Sequence, residues 1–380
     1  MKIKLAALAL CGVFAVSAKA QSSVTLYGSL DAGLLYLNNA GGHSVWQQYN
    51  GALSNTYFGL RGAEDLGGGY RAIFRLQSAF SISNGAFSRN ESLFNRQAFV
   101  GVQNDGYGTL TLGRQFDSVV DYLAPLSIAG SGAGVNLGLH PLDNDNLSNQ
   151  RSVANTVKFE SANYAGFHFG GLYGFSNDPG QFDNGRAWSV GAAYSTGPLK
   201  VAAAYDQSNN NPSGLNQSGA AVDDPLPAGV HRVFGVGASY AIGQGTFGVL
   251  WTHTQLENSY FASKARPLDA RFDNIEVNGN WKLTPALALF GDYTFTFGKT
   301  SGSGTTSSTP KWHSVLLGTD YSLSKRTDVY LVGVYQHASG SLYNDGRGNV
   351  INNATSIGGL FAASSTPNQI GAAAGVRHRF

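Results

Sequence analysis

The C-terminal stretch "QIGAAAGVRHRF", residues 369–380, carries the pattern on which the fold prediction depends. Alternate residues from Ile370 to Val376, and on through His378 to Phe380, fall on one side, while glycines, alanines and arginines share the other. Successive side chains of a β-strand point to opposite faces, so this period of two predicts a strand that reaches the last residue. Chain ends usually fray into solvent. A terminal strand that ends on an aromatic side chain is therefore expected to be held against another element.

The same period of two recurs along the chain. In "YRAIFRLQSAF", for example, Phe74 lies on the apolar side and Arg75 on the polar side. Alternation of this kind over short segments is typical of strands with one apolar and one polar face. We predict sixteen strands, near residues 23–37, 52–64, 69–82, 92–103, 107–116, 151–160, 164–176, 186–196, 198–208, 231–241, 245–257, 270–282, 285–299, 310–322, 326–338 and 367–380.

The connections between these segments alternate between short and long. The short ones, such as "NDG", "TG" and "LSK", have the composition of tight turns. Eight longer polar loops separate them, near residues 38–51, 83–91, 117–150, 177–185, 209–230, 258–269, 300–309 and 339–366. Outer-membrane barrels have short periplasmic turns and long extracellular loops, and an even number of strands lets the first pair with the last. The alternative is a soluble β protein, which has no reason to place all its long loops at one end.

The N-terminus has the features of an export signal. Two early lysines precede an apolar run, and "SAKA" precedes Gln21, so we predict a signal peptide at residues 1–20 that is removed, which assigns residues 21–380 to the mature domain. Its removal leaves 22 basic and 23 acidic residues and no cysteine. A formal charge of −1 argues against nucleic acid as a partner. The mature chain also has no disulfide framework.

The overall composition favours a membrane barrel. Glycine accounts for 50 of 380 residues and aromatic residues for 12%, whereas charged residues reach only 13%, about half the usual fraction of ~25%. No segment after the signal is apolar enough to predict a transmembrane helix. The predicted fold is all-β: a 16-stranded antiparallel transmembrane β-barrel in the outer membrane.

Several blocks resemble the general porins of Gram-negative outer membranes, and in particular their β-proteobacterial branch. These are "VTLYGSLDAGL", "GLRGAEDLGGGYRAIFRLQSAF", "FNRQAFVGVQNDGYGTLTLGRQFDSVVDYLAPL", "HPLDNDN", "NTVKFESANYAGFHFGGLYGFSN" and "GVRHRF". The resemblance covers the whole mature chain and implies a homotrimer of diffusion channels for small hydrophilic solutes. It also implies that the third long loop, about 117–150, folds into the barrel and narrows it.

The family constriction places basic side chains on the wall across from acids on the third loop. By resemblance, Arg96 in "FNRQAF" and Arg151 in "NQRSVANTVKF" match wall arginines. A third family arginine, in an "S-R-x-G" stretch, is replaced here by Tyr57, and Arg75 is expected to compensate for it. If Arg96 faces inward, Phe99 is expected to face outward, where it would pack against a neighbouring subunit of the trimer.

Two further cations, Arg61 and Lys158, are expected to face the lumen from the pattern of their strands. The loop side is poor in acid, since residues 123–142 contain no carboxylate. The flanking acids assigned to the loop side of the constriction are Asp117, Asp121, Asp143 and Asp145. This balance predicts a mild preference for anions.

The main alternative is a solute-preferring porin for a sugar or an inorganic anion. No catalytic or cofactor motif is present, so we predict no enzyme activity and no cofactor. "DNDN" at 143–146 resembles half of a calcium loop, so a loop-bound calcium ion is the one metal that the sequence suggests. The expected partners are two further copies of the chain, outer-membrane lipid and lipopolysaccharide, and small solutes and anions.

Overall fold

The computed structural model describes residues 23–88, 92–131, 136–210, 219–260, 267–302, 307–344, 350–352, 354–359 and 363–380. The predicted signal peptide, 1–20, lies outside these residues. Among the described residues, no helix is long and apolar enough to cross a membrane.

The described chain is built almost entirely from antiparallel strands. Their bounds are β1 Ser23–Ala40, β2 His43–Asn50, β3 Tyr57–Gly67, β4 Tyr70–Ala79, β5 Gln97–Asn104, β6 Gly108–Gln115, β7 Val153–Ser161, β8 Phe167–Gly174, β9 Ala187–Thr196, β10 Leu199–Asn209, β11 Ala228–Ile242, β12 Gly245–Ser259, β13 Leu268–Lys282, β14 Leu287–Gly302, β15 Lys311–Ser322, β16 Thr327–Ser339, β17 Ser341–Asn344, β18 Val350–Asn352 and β19 Asn368–Arg379.

The strands close into a barrel with sixteen wall positions. Sequence neighbours pair in turn from β3 to β16, β16 pairs with β19, and β19 pairs with β1. β2 and β3 together occupy one wall position, because both pair with successive halves of β1. The small β17–β18 hairpin lies outside this sheet, within the predicted 339–366 loop. The predicted fold class is therefore confirmed.

The closing seam accounts for the aromatic C-terminus. β1 and β19 pair from Ser29 with Arg379 to Leu37 with Gly371. Beyond the strand, Gly28 and Phe380 exchange two backbone hydrogen bonds of 3.1 Å. A Cβ added to Gly28 would lie 2.6 Å from the Phe380 ring, so the ring packs directly on the glycine. The last residue is thus part of the seam that removes both sheet edges.

Alternation along the strands separates a lipid face from a lumen face. In β13, Ile275 and Val277 are exposed, whereas Asn274 and Glu276 are fully buried inside the barrel. Trp281, near the short turn that follows β13, is 40% exposed on the outer face. This places an aromatic side chain at the turn end of the barrel, as expected for the periplasmic interface.

The first long loop was predicted wrongly. Residues 38–51 form a hairpin instead of a loop, with β1 and β2 joined at Gly41 and Gly42. Both glycines have positive φ angles, 63° and 101°, which side chains disfavour. The Asn39 side chain accepts a hydrogen bond of 2.9 Å from the Gly42 N–H and so fixes the turn.

The second predicted strand, 52–64, is also displaced, because the wall breaks between β2 and β3. Asp31 on β1 accepts hydrogen bonds from the N–H groups of Leu53 and Ser54 at 2.9 and 2.8 Å. It also accepts one of 2.6 Å from the hydroxyl of Tyr330. Leu53 is fully buried in the barrel interior. A buried carboxylate therefore holds this break inside the lumen, a contact between distant segments that strand periodicity does not reveal.

Candidate pore constriction

The described parts of the third long loop, residues 116–131 and 136–152 between β6 and β7, lie inside the barrel. The loop contains a short π-helical turn, Val119–Leu123, that packs on the inner face of β9, β10 and β11. The Tyr122 ring lies against Gly191, where an added Cβ would come within 2.4 Å of a ring carbon. Farther along, Ile128 and Leu137 join a buried cluster with inward side chains of β1 and β14 to β16. The loop thus spans the lumen and is supported by apolar contacts on both sides.

Arg151 fastens the end of this loop to the wall. Its guanidinium is buried and binds Asp206 on β10, Asp117 at 3.3 Å and Asp224 at 3.3 Å. Asp117 also accepts hydrogen bonds from the loop's own backbone at the start of the π-helical turn. The Arg151 charge is therefore shared among three carboxylates, and its geometry is that of a strut between the loop and the wall.

His140 fastens the loop at a second point. Its Nδ1 lies 2.6 Å from Asp145 and its Nε2 lies 3.0 Å from Glu276 on β13. Asp145 also accepts a hydrogen bond of 2.5 Å from Thr252 on β12, and Glu276 accepts one of 2.6 Å from the N–H of Ile128. Burial disfavours the charged imidazole, but Asp145 and Glu276 outweigh it and raise the pKa of His140 well above its ordinary value.

Lys158 neutralises Asp121, another acid of the third loop. Its ammonium binds Asp121 and lies 3.5 Å from Glu160, with 10% of its side chain exposed. Glu160 in turn accepts a hydrogen bond of 2.5 Å from Tyr122. The last predicted loop acid, Asp143, is buried, and burial together with the charge of Asp145 raises its pKa to about 6. Of the four predicted loop-side acids, three are buried and Asp121 is bound to a lysine.

The opposite wall carries the other three predicted cations. Arg61 on β3 and Arg75 on β4 are direct cross-strand partners, so both face the lumen side by side. In the part of the chain that the structure describes, neither has a carboxylate within 4.0 Å. Arg96, just before β5, donates a hydrogen bond of 3.0 Å to Gln77. The positive charges of all three guanidinium groups act on the hydroxyl of Tyr27. The structure thus brings Arg61, Arg75 and Arg96 together.

Aromatic rings support this cluster. The Arg96 guanidinium lies over the rings of Tyr57 and Phe116, with centroid distances of 5.5 and 5.1 Å. Arg61 lies over Tyr27 at 5.3 Å, and Arg75 over Phe99 at 5.8 Å. Cation–π contacts of this kind stabilise closely spaced arginines. Tyr57, at the position where the resemblance led us to expect an arginine, is therefore a support for Arg96 in this arrangement.

The expectation that Phe99 faces outward was wrong. Arg96 precedes β5, and its N–H binds the Gln77 carbonyl at 3.2 Å, so the regular alternation begins only after it. Phe99 pairs with Arg75 across β4 and β5 and shares its inward face. This irregularity just before β5 does not appear in the sequence periodicity, and it reversed the face on which Phe99 was predicted to lie.

Sequence reasoning missed the contribution of the fifth long loop. Asp223 and Asp224, between β10 and β11, reach into the lumen, where Asp223 binds Arg114 and Asp224 binds both Arg151 and His231. The only sequence signal is the "DDP" acid pair within an otherwise polar loop. No local pattern assigns its partners, which lie on β6, β11 and the third loop.

Among the described residues, the third loop lines two cavities that lie along the lumen. One, of about 560 Å³, is bounded by the segment between β2 and β3, by Arg96, by loop residues 148–150 and by Asp223 and Asp224. The other, of about 510 Å³, is bounded by Ile128 and by the short turn between β13 and β14. The loop therefore stands between an outer and an inner vestibule. Among the described residues, no cluster of three or more metal-ligating side chains was found, and in "DNDN" Asp145 is bound to His140.

A closed membrane barrel narrowed by an inward loop defines a channel protein of the outer membrane. The family model described as Gram-negative porin matches residues 5–341, and the chain belongs to this family. Porins are channels, so the chain is an outer-membrane diffusion channel, and the family gives no support for an enzyme activity.

Relatives and solved structures agree with this assignment. An outer membrane porin protein of Bordetella pertussis is 32% identical, over 88% of this chain and 94% of that protein. Outer membrane porin protein 32 of Delftia acidovorans is 28% identical, over 100% of this chain and 99% of that protein. The anion-selective porin from Comamonas acidovorans has the same fold, with a TM-score of 0.71 and 23% identity, over 94% of this chain and 100% of that one.

Proposed function

We propose that this channel passes small hydrophilic solutes and ions with a mild preference for anions, and that Arg61, Arg75 and Arg96 set this preference. The observation that carries the proposal is the directly opposed pair Arg61 and Arg75 on the lumen face, without a carboxylate partner among the described residues. Like charges placed opposite each other repel, so an anion that passes between them is stabilised by both.

The charge balance of the third loop also favours a preference for anions. Asp117, Asp121 and Asp145 contact Arg151, Lys158 and His140 respectively, and the stretch 123–142 has no carboxylate. A passing ion therefore meets the wall arginines with little opposing charge from the loop. The anion selectivity of the Comamonas porin, which shares the fold, is consistent with this proposal.

Ion selectivity tests the proposal directly. The reversal potential of the purified protein in a bilayer with a salt gradient is expected to show anion preference, and Arg96→Ala is expected to weaken it. Cation preference in the wild-type protein would overturn the proposal. The alternative, a solute-preferring porin, predicts that micromolar to millimolar amounts of one sugar or inorganic anion block the current, whereas a general channel shows no such block.

We further propose that the channel is a homotrimer. Support comes from a solved outer membrane protein of Vibrio cholerae, described as a trimer form, which has the same fold with a TM-score of 0.61 and 18% identity. The mass of the detergent-solubilised protein, measured by light scattering with the detergent contribution subtracted, should equal three chains. A mass of one chain would refute the assembly while leaving the channel function intact.

A further inference from the structure

The inner vestibule carries two lysines on its wall. This cavity, of about 510 Å³, is lined by Lys200 on β10 and Lys282 on β13, and both side chains are exposed. Within the described ranges, neither has a carboxylate within 4.0 Å. Asp320, an acid that also lines the cavity, lies 3.1 Å from the guanidinium of Arg377. The cavity therefore presents net positive charge to a solute.

Both lysines lie at the periplasmic end of the lumen. Lys200 is the second residue of β10, after a short turn, and Lys282 is the last residue of β13, before another. Lys200 shares the inward face of β10 with Ala202, and Lys282 shares the inward face of β13 with Glu276. Three strand spacings of ~4.8 Å separate β10 from β13 by about 14 Å. Because lysine side chains are long and flexible, both can approach one solute between them.

The same cavity has an apolar side. The third loop contributes Pro125, Leu126 and Ile128 to its lining, and β14 contributes Ala288 and Phe290. A ring that packs on these side chains removes apolar surface from water, which favours binding. The cavity volume lies within the range of about 300–1,000 Å³ that is usual for small-molecule sites. Charge and apolar surface therefore meet in a space of suitable size.

Hydrogen bonds to β13 hold the apolar side in place. The Asn278 side chain donates a hydrogen bond of 2.8 Å to the Leu126 carbonyl. Glu276 accepts one of 2.6 Å from the N–H of Ile128, and His140 lies 3.0 Å from the same carboxylate. This part of the loop is thus fixed before a solute enters, which lowers the entropic cost of binding.

We propose that the inner vestibule is a binding site for organic anions that carry an apolar ring. Lys200 and Lys282 bind the anionic group, and the ring packs against Leu126, Ile128 and Phe290. A solute bound there obstructs the current on the periplasmic side of the third loop. The site rests on the channel function of the protein, but not on the arginines proposed to set its ion preference.

Single-channel currents in a planar bilayer test this site, with naphthalenesulfonate as the probe. The probe should reduce the wild-type current, and its half-blocking concentration should differ between the two compartments, because the third loop separates the site from the extracellular mouth. Lys200→Gln/Lys282→Gln should raise the half-blocking concentration about tenfold, as expected for the loss of two partly exposed ion pairs. The matched control, Lys299→Gln/Lys325→Gln, removes two exposed lysines outside this cavity and should behave like the wild type.

Two further probes separate the contributions of charge and ring. Methanesulfonate has the charge without the ring, and it should block the wild type at least about tenfold more weakly than naphthalenesulfonate. Naphthol is neutral at pH 7 and should block the wild type and the lysine double variant equally weakly. Equal half-blocking concentrations of naphthalenesulfonate in these two proteins would overturn the proposal, as would a methanesulfonate block of equal strength.

The variant Arg61→Gln/Arg75→Gln distinguishes this site from the proposed ion selectivity. It should lose anion preference but keep the naphthalenesulfonate block, since the probe reaches the inner vestibule from the periplasmic side. Loss of the block in the arginine variant, with retention in the lysine variant, would place binding at the arginines and overturn the proposal. Cation preference of the wild type together with a lysine-dependent block would refute the selectivity proposal alone.

Discussion

The opposed arginines on the lumen face give the sharpest prediction. In the double variant Arg61→Gln/Arg75→Gln, two charges disappear while side-chain length is largely kept. An anion about 5 Å from one charge gains ~0.8 kcal/mol at the dielectric constant of water, and screening at 0.1 M salt reduces the sum for two charges to about 1 kcal/mol. We therefore expect the anion-to-cation permeability ratio to fall by about fivefold or more.

Reversal potentials in a tenfold potassium chloride gradient provide the assay. The matched control is Arg71→Gln, which removes an arginine from the same strand, β4, but from the short-turn end, where it is bound to Asp105. The control should keep the wild-type ratio. Because Arg61 and Arg75 repel each other, the double variant should also fold at least as stably as the wild type. An unchanged ratio in the double variant would refute the assignment of selectivity to this pair.

Three other contacts give separate predictions. Arg151→Met leaves buried carboxylates without their cation and should cost about 3–5 kcal/mol, seen as a lower temperature of heat-induced unfolding on gels, with little change in ion preference; an unchanged unfolding temperature would contradict the strut. The pKa of His140 is raised in the folded protein, so its stabilising charge is present at acidic and neutral pH and is lost as the pH rises through the raised value. Open-channel noise should therefore increase at alkaline pH in the wild type but not in His140→Gln. Deletion of Phe380 removes two hydrogen bonds to Gly28 and should lower the yield of refolded barrel, whereas Phe380→Tyr should not.

Strand periodicity predicted most of the barrel because each strand has one face toward lipid and one toward the lumen. Apolar and polar residues therefore alternate along the strand. β9 and β16 begin and end within a residue of their predicted bounds. The prediction failed where other forces act. Residues 38–51 were interpreted as a loop because their composition is polar, yet the Gly41–Gly42 turn lets the strands continue beyond the apolar band. The break between β2 and β3 depends on Asp31. Two of its partners, Leu53 and Ser54, are 22 and 23 residues away in sequence, and the third, Tyr330, is 299 residues away.

Sequence patterns are even less informative at the constriction, because arginine serves two purposes there. Both Arg75 and Arg151 could be placed at the lumen from sequence, and nothing local distinguishes them. Arg151 reaches Asp206 and Asp224, 55 and 73 residues ahead, so its charge holds a loop in place. Arg75 faces a neutral glutamine, Gln97, and an aromatic ring, so its charge remains available to passing ions. We therefore expect ion selectivity to depend less on how many arginines line the barrel than on which of them are already bound by acids from distant strands and loops.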